Sequence, residues 1–194
     1  MSRRHFMTAT GAALTLPTAG WSLNTSDART LISRLVNDIN AAISSGKSER
    51  AMLQDFERIF LRFADTSYIA AYAMGADSRR ASAAQKRAFT DAFTGYLARR
   101  YGARFREFTG GRFEVKTVRK VRSYYEVETT AYLRGEAPFA VNFHVSDRTG
   151  QDLFFNMYIE GINMLLAERS EVGAMLDKRR GNIDAMISDL KKAS

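Results

Sequence analysis

The sequence predicts an α+β domain in which helices pack across a four-stranded antiparallel meander sheet. Three observations predict it. From Thr25 to Phe108 apolar residues recur every three or four positions, as on one face of a helix. From Phe113 to Ile159 they recur every second position, as on one face of a strand. From Met164 onward the helical period returns. Helices and strands are therefore segregated rather than alternating, and short links between successive strands require antiparallel pairing.

The first helix runs from Thr25 to Ala42. Leu31, Ile32, Leu35, Val36, Ile39 and Ile43 recur at helical spacing, Arg29, Arg34, Asn37 and Asp38 lie elsewhere on the wheel, and Ser44-Ser45-Gly46 ends it. Ser48 caps a second helix, whose apolar face is Met52, Leu53, Phe56, Ile59, Phe60 and Phe63. A short third helix, capped by Asp65 or Thr66, carries Tyr68, Ile69 and Tyr72 and stops at Gly75. Ser82 and Gln85 form a capping box that opens the longest helix. Its aromatic stripe is Phe89, Phe93, Tyr96, Leu97, Tyr101, Phe105 and Phe108, with Gly102 a candidate bend and Gly110-Gly111 its end. Strands follow through Phe113, Val115 and Thr117; through Tyr125, Val127, Thr129 and Ala131; through Phe139, Val141, Phe143 and Val145; and from Leu153 to Ile159. Asp147-Arg148-Thr149-Gly150 turns the third strand into the fourth, and Glu160-Gly161 is read as leaving the sheet. A helix through Met164, Leu165, Val172, Met175 and Leu176 precedes a last one, capped by Asn182 and carrying Ile183, Met186, Ile187 and Leu190.

Ahead of these elements, Ser2-Arg3-Arg4-His5-Phe6-Met7 has the pattern of a twin-arginine export signal. Thr8 to Leu16 is uncharged and only mildly apolar, Pro17 breaks it, and residues 1–24 contain no acid. The reading is an export signal over 1–24, cleaved between Ala19 and Asp27, and one domain over 25–194 that works in a periplasm. The chain has 194 residues, a formal charge of +8 to which Arg3 and Arg4 contribute, and no cysteine. Disulfides, thiol nucleophiles and thiolate metal sites are thereby excluded. The basic residues are dispersed, and nucleic acid is not expected as a partner.

The catalytic inventory is thin. With His5 in the signal, His144 is the domain's sole imidazole. Ser146 and Asp147 lie close by, but Asn142, His144 and Ser146 share the strand face opposite Phe143 and Val145, which should face water. A triad needs a sheltered nucleophile and an oxyanion site, and neither is offered. No glycine loop suits a phosphate, and no His, Asp and Glu set has metal-ligand spacing. The expectation is a protein without enzymatic activity, metal or cofactor. Apolar material is plentiful instead, with 13 Phe and 8 Tyr. Tyr68, Tyr72, Tyr96 and Tyr101 set hydroxyls among apolar faces, as pocket rims do, which points to an apolar cavity between helices and sheet.

Specific words of sequence add to this. Phe63-Ala64-Asp65 with Ile69-Ala70-Ala71-Tyr72-Ala73-Met74-Gly75 resembles a motif of the MlaC family, periplasmic phospholipid-shuttle proteins also called toluene-tolerance auxiliary components of an ABC transport system. The likeness continues in Gln85-Lys86-Arg87-Ala88-Phe89, Phe93-Thr94-Gly95-Tyr96-Leu97 and Tyr101-Gly102-Ala103-Arg104-Phe105. It recurs in Val145-Ser146-Asp147-Arg148-Thr149-Gly150, Asp152-Leu153-Phe154-Phe155-Asn156 and Ile159-Glu160-Gly161-Ile162-Asn163-Met164-Leu165. Together these words span most of 25–194 in order. His144 and the twin-arginine signal depart from the pattern of many relatives.

The resemblance implies a lipid cavity enclosed by helices and an antiparallel sheet. It also implies a ferry between an outer-membrane lipoprotein–porin complex and an inner-membrane lipid-transport ABC complex, maintaining outer-membrane lipid asymmetry. Burial is worth about 0.8 kcal/mol per methylene, so two acyl chains represent on the order of 20 kcal/mol, which cavity and bilayer must match. The expected lining is Phe60, Phe63, Ile69, Tyr72, Leu97, Tyr101, Val141, Phe143, Phe155, Met157, Ile159 and Met164, with Arg104 near the phosphate at the mouth. Alternatives are a hopanoid-associated carrier, a small cone-shaped α+β enzyme using Glu160 or Asp152 as general base, and an adaptor with a solid core.

Overall fold

Each helix begins where a side chain can satisfy its first free N–H groups. The computed structural model describes residues 22–104, 111–133 and 135–193, with no side-chain description at 103 and 104. Trp21, most of the expected export signal, Phe105, Phe108 and Gly110 therefore lie outside the described residues, as does the Arg104 side chain. Helix α1 (Thr25–Ser44) starts on Asn24, whose side chain accepts from the N–H groups of Ser26 and Asp27. It buries Ala28, Ile32, Leu35, Val36 and Ile39. Helix α2 (Glu49–Phe63) is capped by Ser48 and α3 (Thr66–Met74) by Asp65. Gly75, at φ 60°, stops α3 and opens a 3₁₀ turn, Gly75–Arg79. In the Ser82/Gln85 capping box, Gln85 N–H donates to Ser82 Oγ (3.1 Å) and Ser82 N–H to Gln85 Oε1 (3.0 Å), opening α4 (Ala83–Arg104).

The sheet comprises β1 (Arg112–Val121), β2 (Tyr124–Tyr132), β3 (Phe139–Ser146), β4 (Leu153–Ile159) and β5 (Ile162–Asn163), antiparallel throughout and in sequence order. It has five strands rather than four. Glu160 and Gly161 both take positive φ (50° and 81°), the geometry of a two-residue hairpin turn, so the chain doubles back instead of leaving the sheet. Asn163 then caps α5 (Met164–Lys178), and Asn182 caps α6 (Ile183–Lys192).

The inner face of the sheet, with Val127, Ala131 and Val145 fully buried, packs on α1 and the other helices. Two irregularities bend the strands, one in β1 between Val115 and Val118, the other where β3 meets β4 at His144/Val145. The α2–α3 junction is tied to the sheet by Asp65 N–H donating to Phe154 C=O (2.8 Å). The start of the domain is tied by Leu23 N–H donating to Asp147 Oδ2 (3.0 Å).

Candidate functional site

Alternation along β3 and β4 turns Val141, Phe143, Met157 and Ile159 toward the helices. There they line an apolar pocket closed by Leu35 and Ile39 of α1, Phe56, Ile59 and Phe60 of α2, and Leu97, Ala98, Tyr101 and Gly102 of α4, with Phe113, Phe139 and Phe154 completing it. Register places it at one end of the fold. Phe113 pairs with Ala131, Ala131 with Phe139, and Val141 with Ile159, while the helical contributions come from the C-terminal halves of α1 and α4. The enclosed room is about 110 Å³, and the envelope including the open mouth about 880 Å³. A cavity of roughly 150 Å³ with such a lining stays dry and takes up a benzene-sized molecule. The enclosed room here is smaller than that, and two acyl chains need its walls to part.

Gly102 explains how α2 comes so close. A Cβ there would lie 2.6 Å from Leu53 Cδ2 and 3.2 Å from Phe56 Cδ2. The residue read as a candidate bend is a point of close helix approach. Phe56 and Phe63 of α2 are buried, whereas Ile59 and Phe60, which face the pocket, are half-buried.

Of the residues expected at the cavity, Phe60, Leu97, Tyr101, Val141, Phe143, Met157 and Ile159 come together in this lining. Phe63, Ile69 and Met164 are buried in the packing of α2, α3 and α5 outside it, and Tyr72 lies half-buried beneath the Arg169 guanidinium (5.5 Å). Phe155 is displaced by the irregularity at His144/Val145, which breaks its alternation with Met157 and Ile159. Its ring packs instead against Tyr68, Tyr124 and His144, with Arg148 4.2 Å from its centroid. Neither Glu160 nor Asp152 lines the pocket.

Tyr101 contributes its ring to the pocket but donates its hydroxyl to Glu168 Oε1 (2.7 Å) on α5. Glu168 is 0% exposed, pairs with Arg100 (3.3 Å), and leaves Oε2 without a partner among the described residues. Burial raises its carboxyl above the usual range, opposed by the Tyr101 hydrogen bond and Arg100. Burial likewise pushes the neighbouring Tyr96 phenol up to about 12. Sequence reasoning missed this buried acid. The signal was available, because Glu168 falls on the stripe of Leu165, Val172 and Leu176.

The opposite sheet face corrects the reading of His144. It is buried, not turned to water, because Tyr124 and Tyr158 pack against its ring (centroids 4.5 and 5.0 Å). Its Nε2 lies 3.3 Å from Glu126 Oε2, while Arg119 donates to Glu126 Oε1 (2.6 and 3.0 Å). Burial lowers the basicity of His144, with Glu126 working the other way. Ser146 accepts from Arg148, and Asp147 accepts from Leu23, so neither is paired with His144 as a triad requires. Among the described residues no cluster is placed to hold a metal ion, and no helix is long and apolar enough to cross a membrane.

Fold and pocket together define an α+β protein built around a helix-walled apolar pocket with, among the described residues, no carboxylate or imidazole in its lining. Residues 30–192 match the family described as MlaC protein, and the chain belongs to the MlaC family. Among solved structures, it is similar to the phospholipid-binding protein from Ralstonia solanacearum in complex with a phospholipid. The two share 20% sequence identity over 85% of this chain and 95% of that one, with a TM-score of 0.72.

Proposed function

We propose that this protein is a periplasmic phospholipid carrier. The observation that carries the reading is the lining of the pocket, which among the described residues is aliphatic and aromatic throughout and keeps its one hydroxyl, that of Tyr101, tied to Glu168. Such a surface offers a substrate hydrocarbon contact and no acid–base group. Family membership and the phospholipid in the similar solved structure support the same reading. The enzyme alternative lacks its base, since Glu160 and Asp152 lie away from the lining. In this account the signal at the start of the chain delivers the domain to the periplasm. There it moves lipid between an outer-membrane lipoprotein–porin complex and an inner-membrane ABC complex and helps maintain outer-membrane asymmetry.

Burial of about 0.8 kcal/mol per methylene lets the pocket compete with a bilayer once its walls accommodate the tails. The half-buried pocket side of α2 and the unbranched Met157 are the compliant parts. Organic extraction of protein purified without detergent should yield about one phospholipid per chain; extracts with no lipid, or with a polycyclic lipid alone, count against the phospholipid reading.

A further inference from the structure

Ile59 belongs to two cavities. One of its sides lines the apolar pocket, and the other borders an outward groove of about 450 Å³ between α1 and α2. The α1 wall of that groove contains Ala41 and Ala42, and Ile59 is the side chain common to both linings. The groove itself is ionic. It contains Lys47, Arg58 and Arg62 against Asp38 and Asp55, an excess of one positive charge. Lys47 donates to Asp55 Oδ2 (2.8 Å), Arg58 to Asp55 Oδ1, and Arg62 to Asp38 Oδ2 (3.2 Å). A guanidinium carries five N–H donors. Among the described residues each of these two gives a hydrogen bond to a single carboxylate oxygen, and their side chains are 66% and 68% exposed.

Building on the carrier reading, we propose that this groove is the phosphate seat of the bound lipid: the tails lie in the apolar pocket past Ile59, and the phosphodiester lies against Lys47, Arg58 and Arg62. A phosphodiester is a monoanion, which balances the groove's single excess charge. The planar forks of Arg58 and Arg62 suit its paired oxygens. Lys47 holds the Asp55 carboxyl below the usual range, so the acid stays ionised and the balance holds through neutral pH. Asp38 and Asp55 keep the cations neutralised while the groove is empty.

The test is a competition. Delipidated protein is offered dioleoyl phosphatidylglycerol and dioleoylglycerol, which share tails and differ in the phosphate headgroup, and bound lipid is read by native mass spectrometry. The doubly substituted Arg58→Gln/Arg62→Gln protein should lose preference for the phospholipid roughly tenfold. Asp55→Asn, which removes the competing acid, should move the preference the other way. Circular dichroism checks that both variants fold. Glycerophosphoglycerol, the same phosphodiester without tails, should bind wild type roughly a hundredfold more weakly than the lipid, or worse. An unchanged preference in both variants, or shifts of the same sign, overturns the seat while leaving the carrier reading intact. Glycerophosphoglycerol binding as tightly as lipid makes the groove a site for free phosphodiesters and overturns it too. Wild type that takes up neither lipid overturns the carrier reading and the seat together.

Discussion

Replacing Ala98 by leucine should stabilise the ligand-free protein while denying its pocket to lipid. Ala98 lies on α4, lines the pocket and is buried. Leucine is nearly as good a helix former as alanine, so the backbone is not disfavoured. Unfilled apolar space costs about 24 cal/mol per Å³, so a void of about 110 Å³ forfeits about 2–3 kcal/mol of stability. An isobutyl group occupying much of it recovers on the order of 1 kcal/mol. In a domain of this size that raises Tm by about 2–4 °C. The assay is a thermal melt of delipidated wild type and variant, beside native mass spectrometry of each after exposure to phospholipid vesicles. Higher Tm with loss of bound lipid is expected. A variant that melts lower, or one that carries as much lipid as wild type, refutes the argument that this void is where the tails begin to enter.

Other predictions follow from individual side chains. Gly102→Val should destabilise by about 1–3 kcal/mol, read from urea midpoints, because its branches meet Leu53 and Phe56 where α2 and α4 touch. Glu168 has a raised folded-state pKa, so the native state holds its proton more tightly than the unfolded chain. Its contribution is then fullest at low pH and falls as pH rises from the ordinary carboxylate value toward the raised one. Glu168→Gln should flatten that decline, and wild type gaining stability relative to the variant over the same range contradicts the assignment. His144, with a lowered folded-state pKa, runs in the opposite sense. Its share is full above the ordinary histidine value of about 6.5 and is lost as pH falls below it, so His144→Gln should lessen the acid sensitivity of stability measured from pH 7 to 5. Leu23 is buried and bonded to Asp147, and Asn24 caps α1. If the proposed signal is cleaved, the remaining protein should therefore begin no later than Leu23 by intact mass; a start beyond Asn24 removes the cap and contradicts this.

What the sequence made legible, and what it did not, divides along the range of the interaction. Caps act within three residues, so Ser48, Asp65, the Ser82/Gln85 box and Asn182 located helix starts directly. Alternation marked the four long strands. The fifth was invisible, since two residues carry no period and the turn that makes it depends on the φ angles of Glu160 and Gly161. The pocket was read in part for the same reason. Val141, Phe143, Met157 and Ile159 obey simple alternation, whereas Phe155 sits at an irregularity that only pairing with β3 reveals. Leu35, Ile39, Phe113 and Phe139 join through tertiary register, which no local pattern encodes. The Arg119–Glu126–His144 row likewise exists only once β1, β2 and β3 are aligned.

The most direct measurement is the mass of the intact protein purified from periplasmic extract in the absence of detergent. One phospholipid's mass above the bare polypeptide, released by organic solvent and absent from Ala98→Leu, is the predicted result. Bare polypeptide mass in wild type, unchanged after incubation with phospholipid vesicles, contradicts the account.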